Sequence, residues 1–369
     1  MELFNRSKNN NKSLIRQILD LVPKDIFHSC VAKYQSNKGC SKYKTYDQFV
    51  AMSFGQLNKS ITLSDISSGI GISEIFIKDL GLTQSPARST MSDGNKKRNW
   101  KVYELLYSRL ITHYKKILSS TSHRKVIDEI KEKKIKLIDS TIISVCLSMF
   151  DWAKYRRAKG GIKIHTCWDD TLMIPDVINI TNAKLHDSKG FDKLVFSKGT
   201  IIVEDRAYFD FTLMLSRIRA KNVFVTRIKK NTLFEVIAET DLHEKTSDNI
   251  LKAETIADLY KKRWDIELFF KAIKQNLQIK SFLGTSENAV KSQIYIALIC
   301  YLLLELLRRT ATKKAVAFSN FVEKIRFCLP YYLSISYVCI HISEGAKRVK
   351  QPPHLQLFPN QDLFSHEYG

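Results

Sequence analysis

Apolar residues recur with two different periods along this chain, and the change falls near residue 130. Before it, the spacing follows the 3.6-residue period of helices that bury one face. Residues 14–22 (Leu-Ile-Arg-Gln-Ile-Leu-Asp-Leu-Val) read as an amphipathic helix that stops at Pro23, and residues 47–57 as a second helix. Residues 62–76 split around Gly69 and Gly71 into two short helical pieces. Thr62 or Ser64, and then Ser73, are their candidate N-caps. The spacing resembles a helix-turn-helix. A further helix starts at Ser89 and carries Lys96, Lys97, Arg98 and Lys101.

From residue 134 short apolar runs take over, as in strands. Residues 135–140 (Ile-Lys-Leu-Ile-Asp-Ser) predict a strand ending in Asp139. Residues 161–168 and 173–180 predict a hairpin around Asp169 and Asp170. Residues 187–199 have an Asp/Ser start and a Gly stop, which predicts a short helix. Residues 200–205 predict a buried strand that again ends in carboxylates, 211–220 a helix, and 223–228 a strand. Residues 229–252 are polar and loop-rich, with a possible strand at 233–237. Residues 253–274 contain neither proline nor glycine and predict one long helix. The order (three strands, helix, strand, helix, strand, insertion, helix) is that of an α/β ribonuclease-H-like, retroviral-integrase-like core. In that topology the first and fourth strands are central neighbours. Asp139 and Asp205 are then expected side by side, with Glu267 brought to the same edge by the late helix. The expected organisation is a helical, basic, DNA-binding unit over 1–125, the catalytic core over 130–285, a helical region over 286–345 and a loose tail beyond.

Charge narrows the class of partner. The chain of 369 residues has 59 Lys+Arg against 37 Asp+Glu, a net charge of +22. Such an excess favours a polyanion, most often nucleic acid, over a membrane surface. The first twenty residues are polar, so no secretory signal is expected. The longest uncharged apolar run, 294–304, is shorter than the roughly 18 residues a span needs and is expected as a buried core helix. Seven scattered cysteines without a CxxC pair point to reduced, cytoplasmic thiols and away from a zinc site.

Within 253–274, Tyr260, Arg263, Glu267 and Lys274 fall within about 60° of one another on a helix, beside an apolar face of Ile266, Phe269, Phe270, Ile273 and Leu277. One carboxylate among two cations and a phenol suits a metal ion and a phosphate bound together. Read blandly, the stripe is a solvated face with i,i+4 ion pairs. Asp139 could be a cap before Ser-Thr, and Asp205 an ion-pair partner of Arg206. All three carboxylates falling where this strand order requires them favours the chemical reading. Gathered carboxylates repel unless neutralised. Magnesium prefers their oxygens and keeps sites for water and phosphate. Two such ions about 4 Å apart can activate an attacking oxygen and stabilise a leaving one. Arg263 and Lys274 would then hold flanking phosphates.

These residues resemble the DDE transposases of bacterial insertion sequences, specifically the insertion-sequence-4 type. Its Tyr-x2-Arg-x3-Glu-x6-Lys signature stands here as Tyr260, Arg263, Glu267 and Lys274. Residues 137–141 (Leu-Ile-Asp-Ser-Thr) are similar to its first-aspartate motif, and 203–210 (Val-Glu-Asp-Arg-Ala-Tyr-Phe-Asp) to its second. The segments at 159–165 and 181–188 resemble the family's second strand and the approach to its first helix; Lys163, His165 and His186 are read as structural or unassigned. The helical N-terminal region, including 88–93, is also similar, so the resemblance covers roughly residues 10–340. It implies catalytic, metal-binding Asp139, Asp205 and Glu267, two Mg2+ ions (Mn2+ substituting), and phosphate contacts from Tyr260, Arg263 and Lys274. It also implies cut-and-paste transposition: binding of terminal inverted repeats, hydrolysis at the element ends, and joining of 3′-hydroxyls to target DNA by at least a dimer. The expected location is the bacterial cytoplasm, on the nucleoid. Lys96, Lys97, Arg98 and Lys101 are the candidate DNA contacts in the N-terminal region. The chain departs from the family in its short insertion between Asp205 and Glu267. Better-known members carry a long β-rich insertion there, whose aromatic stabilises a flipped base. Phe234 lies in the short one, and hairpin formation on the DNA end is left open. The alternatives are a catalytically silent DNA-binding protein derived from a transposase, and a ribonuclease-H-like nuclease that does not join strands.

Overall fold

The computed structural model describes residues 10–344 apart from 147–149, 151, 157–158, 192–193, 229–231, 234, 236–250 and 313. Phe234, most of the expected strand at 233–237 and the tail after Lys350 lie outside the described residues.

Seven helices come first: α1 (Leu14–Leu19), α2 (Lys24–Lys33), α3 (Thr45–Asn58), α4 (Leu63–Ile70), α5 (Glu74–Asp79), α6 (Arg88–Lys97) and α7 (Lys101–Ser120). Their starts follow local chemistry. The Ser13 hydroxyl accepts the Arg16 N–H at the start of α1, and Ser73 does the same for Phe76 at α5. Thr62 and Asp65 form a reciprocal capping box on α4, which satisfies two backbone donors that a helix start leaves orphaned. Along α7, Val102, Tyr103, Leu106, Tyr107, Leu110, Ile111, Tyr114 and Leu118 are buried, the i, i+3/i+4 face that the sequence pattern requires.

A six-stranded mixed sheet follows, made of β1 (Ile135–Val145), β2 (Lys154–Arg156), β3 (Lys159–Asp169), β4 (Ile174–Asn182), β5 (Ile201–Glu204) and β6 (Val223–Val225). Both β2 and β4 pair with β3; β3 pairs antiparallel with β1; β1, β5 and β6 run parallel in that order. Helix α8 (Phe211–Arg219) makes the crossover from β5 to β6. Alternation along the strands sorts side chains to two faces. Ile135, Leu137, Ile201 and Val203 join the main core with the helices. Ile138, Cys167 and Ile202 meet Phe191 and Tyr208 in a smaller core on the other face.

Two expected helices take a different form. Among the described residues of 187–199 there is no α-helix, only a single 3-10 turn, Asp187–Lys189. Asn179 of β4 donates to the Gly190 carbonyl at 2.9 Å, and Phe191, Leu194 and Phe196 spread over the small core instead of stacking on one helical stripe. The predicted long helix at 253–274 is two helices, α9 (Ala253–Lys261) and α10 (Trp264–Asn276). At their junction the bonds Arg263 N–H to Tyr260 O, Asp265 N–H to Lys262 O and Ile266 N–H to Arg263 O each span three residues, so the chain tightens there into a 3-10 turn. Lys262 anchors it, donating at 2.8 Å both to the Lys125 carbonyl and to buried Asp170.

The chain ends in α11 (Glu287–Ala311), α12 (Phe318–Cys328) and α13 (Ile335–Glu344). Helix α11 has the length and apolarity of a membrane span, yet its apolar window is 94% buried within the protein. It packs on α3, α6 and α7 on one side and on α10, α12 and α13 on the other. One continuous hydrophobic core therefore runs from Leu14 to Ile342. Cys30, Cys40, Cys167, Cys300, Cys328 and Cys339 are free thiols.

Candidate active site

The sheet register sets the site. β1 and β5 are parallel with Leu137 opposite Val203 and Ile138 opposite Glu204. One step further along the same register, Asp139 faces Asp205, which lies just past the end of β5 and caps the 3-10 turn Arg206–Tyr208. With period two, Asp139 shares a face with Leu137, and Asp205 with Val203. That is the face covered by α9 and α10.

Those two helices deliver the rest. Arg263, at the junction, donates to Asp139 Oδ2 at 2.6 Å and to Glu267 Oε1 at 2.7 Å. Tyr260 OH reaches Asp205 Oδ1 at 3.4 Å. Lys274, near the end of α10, donates to the Thr141 hydroxyl, on the same face of β1 as Asp139. The structure thus brings all six sequence-predicted residues to one region of the sheet: Arg263 joins Asp139 to Glu267, Tyr260 reaches Asp205, and Lys274 lies against β1 through Thr141. It adds two the sequence did not single out. Thr141 is the partner of Lys274, and Arg227, past the end of β6, stacks its guanidinium 5.6 Å from the Tyr260 ring. Arg263 lies 5.7 Å from the same ring, so the phenol sits between two cations. A period-two count on from Val225 marks Arg227, but only once the strand order is known.

Burial is the main reason the Asp139 carboxyl is pushed up to about 6 from 3.8. The Ser140 N–H and Arg263 pull against that, and the like charges of Asp205 and Glu267 add to it. Lys274 is lowered by burial and by the charge of Lys280. Among the described residues no three His, Cys, Asp or Glu side chains are gathered tightly enough to form a ready cation cage. Arg263 holds Asp139 and Glu267 as their countercharge instead. The donor set still fits a hard divalent cation: it is all oxygen, it is carboxylate, and its mutual repulsion is what a cation relieves.

Other candidates have structural partners. Arg98 was expected on the DNA-facing surface, but it is 6% exposed, and its guanidinium donates to the Ser36 and Tyr43 carbonyls and to Gln48 Oε1. It staples α6 to the 36–48 segment, and burial there keeps its guanidinium away from a phosphate at the surface. Lys96, Lys97 and Lys101 are exposed; Lys97 pairs with Asp93 at 3.6 Å, and Lys101 opens the next helix. Lys163 donates to the Leu185 carbonyl and pairs with Asp187. Buried His165 bonds Thr181 and is driven down to about 4 by burial, and His186 bonds Ser188.

Residues 130–303 match the family described as a transposase DDE domain, and residues 10–82 match a domain of unknown function. A putative transposase, y4zB, of Sinorhizobium fredii is 30% identical over 238 residues, covering 52% of this chain and 67% of that protein. The chain belongs to the DDE transposase family. A putative transposase for insertion sequence element IS4SA of Synechocystis is 29% identical over 68% of this chain and 79% of that protein. A probable transposase for insertion sequence element IS5377 of Geobacillus stearothermophilus is 28% identical over 53% of this chain, and the match spans 62% of that relative's length. A solved piggyBac transposase synaptic complex with hairpin DNA aligns over 96% of this chain and 86% of that one at 11% identity and a TM-score of 0.46, too distant a likeness to assign any residue.

Proposed function

We propose that the protein is a metal-dependent transposase of the insertion-sequence-4 type that moves its element by cut and paste. The observation that carries this reading is the placement of Asp139, inside β1 and not at its end as expected, beside Asp205, just past the end of the neighbouring β5, with Glu267 tied to Asp139 through Arg263. Two Mg2+ ions held by these carboxylates would activate the attacking oxygen and stabilise the leaving oxygen of a phosphodiester. The chain's own residues supply the remaining work. Arg263 offers a fork of donors that can turn from carboxylate to phosphate, Tyr260 and Arg227 form a cationic aromatic wall, and Lys274 adds a point charge. The same site serves first with water, cutting at the terminal inverted repeats, and then with the 3′-hydroxyl, joining it to target DNA. Two ends must be held together for this, so the working unit is a homodimer on two DNA ends.

The test is a labelled duplex carrying the element's own end, incubated with Mg2+ or with EDTA. Mg2+-dependent cleavage that is lost in Asp139→Ala, followed by a strand-transfer product on a target plasmid, is the expected result. Specific binding without cleavage would overturn the catalytic reading; cleavage without joining would leave a nuclease.

A further inference from the structure

Cations continue past the site. Lys274 reaches Thr141, and the chain leaving α10 passes Lys280 on its way to α11. The end of α10 lies against the end of α3. Gln278 N–H donates to Gln56 Oε1 at 2.8 Å, and Gln56 Nε2 returns a bond to the Gln278 carbonyl at 3.2 Å. Arg326 of α12 clamps both ends, donating to the Leu57 carbonyl at 2.8 Å and the Asn276 carbonyl at 3.0 Å. Lys59 closes α3 in a left-handed conformation, φ 55°, beside this clamp.

So Lys59, Lys280 and Arg326, from three distant parts of the chain, share one seam. Burial, and then the charges of Arg326 and Lys280, lower Lys59. Glu323 is the acid whose charge reaches Lys59, and among the described residues it makes no salt bridge with it. Arg326 is occupied by its two carbonyls, whereas Lys59 and Lys280 are exposed. Like charges held together repel, and a polyanion laid across them recovers that energy.

We propose that Lys280 and Lys59 extend the phosphate path begun at Lys274, gripping the backbone of the DNA strand where it leaves the Asp139–Asp205 edge and crosses onto the N-terminal helices. The inference rests on the DNA reading of that edge. Lysine ammonium groups at these positions would act as point charges on phosphates and carry no sequence preference. If they served only to complement the negative ends of α3 and α10, their loss would change stability and leave DNA binding alone.

The experiment uses the full chain and duplex DNA, with affinity measured across a range of salt concentrations. Removing one phosphate-binding cation should reduce the slope of log K against log salt by about 0.9, so Lys59→Gln with Lys280→Gln should reduce it by about 1.8. The double arginine variant should restore the slope. A control pair on α2 and α7, Lys33→Gln with Lys116→Gln, should leave it unchanged. Steep wild-type binding with an unaltered slope in the Lys59/Lys280 variant, folded by its melting curve, would overturn the path alone. Wild-type protein that binds DNA without salt dependence would overturn the DNA reading beneath it.

Discussion

Asp139 is the residue at which the site's electrostatics become measurable. Its carboxyl titrates near 6 in the folded, metal-free protein and near 3.8 unfolded, so the native state holds the proton more tightly. That contribution to stability is fully present below about pH 4 and is lost as the pH rises through about 6, on the order of 3 kcal/mol in all. Metal-free protein should therefore show a fall in melting temperature across that window which Asp139→Asn flattens. Mg2+ should act in the opposite sense, raising the melting temperature above about pH 6 and losing its effect as Asp139 takes up its proton. Calorimetry at several pH values, with Mg2+ and with EDTA, checks both. Glu267→Gln keeps the shape of the side chain but removes a charge. It should lower cleavage and strand transfer about 10³-fold or more, roughly 4 kcal/mol of transition-state stabilisation, while end binding measured by gel shift changes little. Wild-type-like joining by that variant would remove Glu267 from the catalytic set.

At the scale of elements, much of the arrangement could be read from residue pattern. Two mostly apolar runs leading to aspartate, Ile135 to Asp139 and Thr200 to Asp205, are parallel neighbours covered on both faces, as parallel strands require, although β1 runs on past Asp139 to Val145. The junction between α9 and α10 was not legible, because a 3-10 turn needs neither glycine nor proline and leaves no mark in composition. Nor was the fate of 187–199: the sequence spelled start and stop signals, but a bond from Asn179 and the demands of the small core decided otherwise. Arg98 misled for a related reason. A guanidinium beside lysines reads as surface, and only the carbonyls converging on it from residues 36 and 43 make it internal. The junction yields its own prediction. Lys262→Ala would leave Asp170, 1% exposed, with Arg124 at 3.7 Å as its remaining cation. A loss on the order of 3 kcal/mol is expected by chemical denaturation. Cleavage should suffer more than DNA binding, since Arg263 and Glu267 are aimed by that turn.

For the whole molecule, a net charge of +22 makes ionic strength the dominant control on association. With six or more phosphates engaged, affinity for DNA should drop by about 10³-fold or more between about 50 and 200 mM salt. A flat response, read by fluorescence anisotropy, would contradict DNA as the main partner. Sedimentation of protein with end DNA should show a species containing two chains and two duplexes. Cohesion at this scale comes from α11. Leu302→Ala, at a fully buried position in that helix, should cost about 2–5 kcal/mol and unfold the N-terminal helices and the sheet in one transition, because α3, α6 and α7 pack on it and its Tyr295 and Arg309 bond the carbonyls of Ile178 in β4 and of Leu172 before it.

That shared helix also bears on how the encoding gene can decay. A frameshift after α7 would leave seven helices without the surface they fold against, exposing the apolar faces of α3, α6 and α7. Such a stub should be digested rapidly in limited proteolysis, whereas the intact chain resists. On the proposed function, broken copies would then vanish as protein and not accumulate as competitors for DNA ends, so interference from its own debris is a burden this architecture would spare the element.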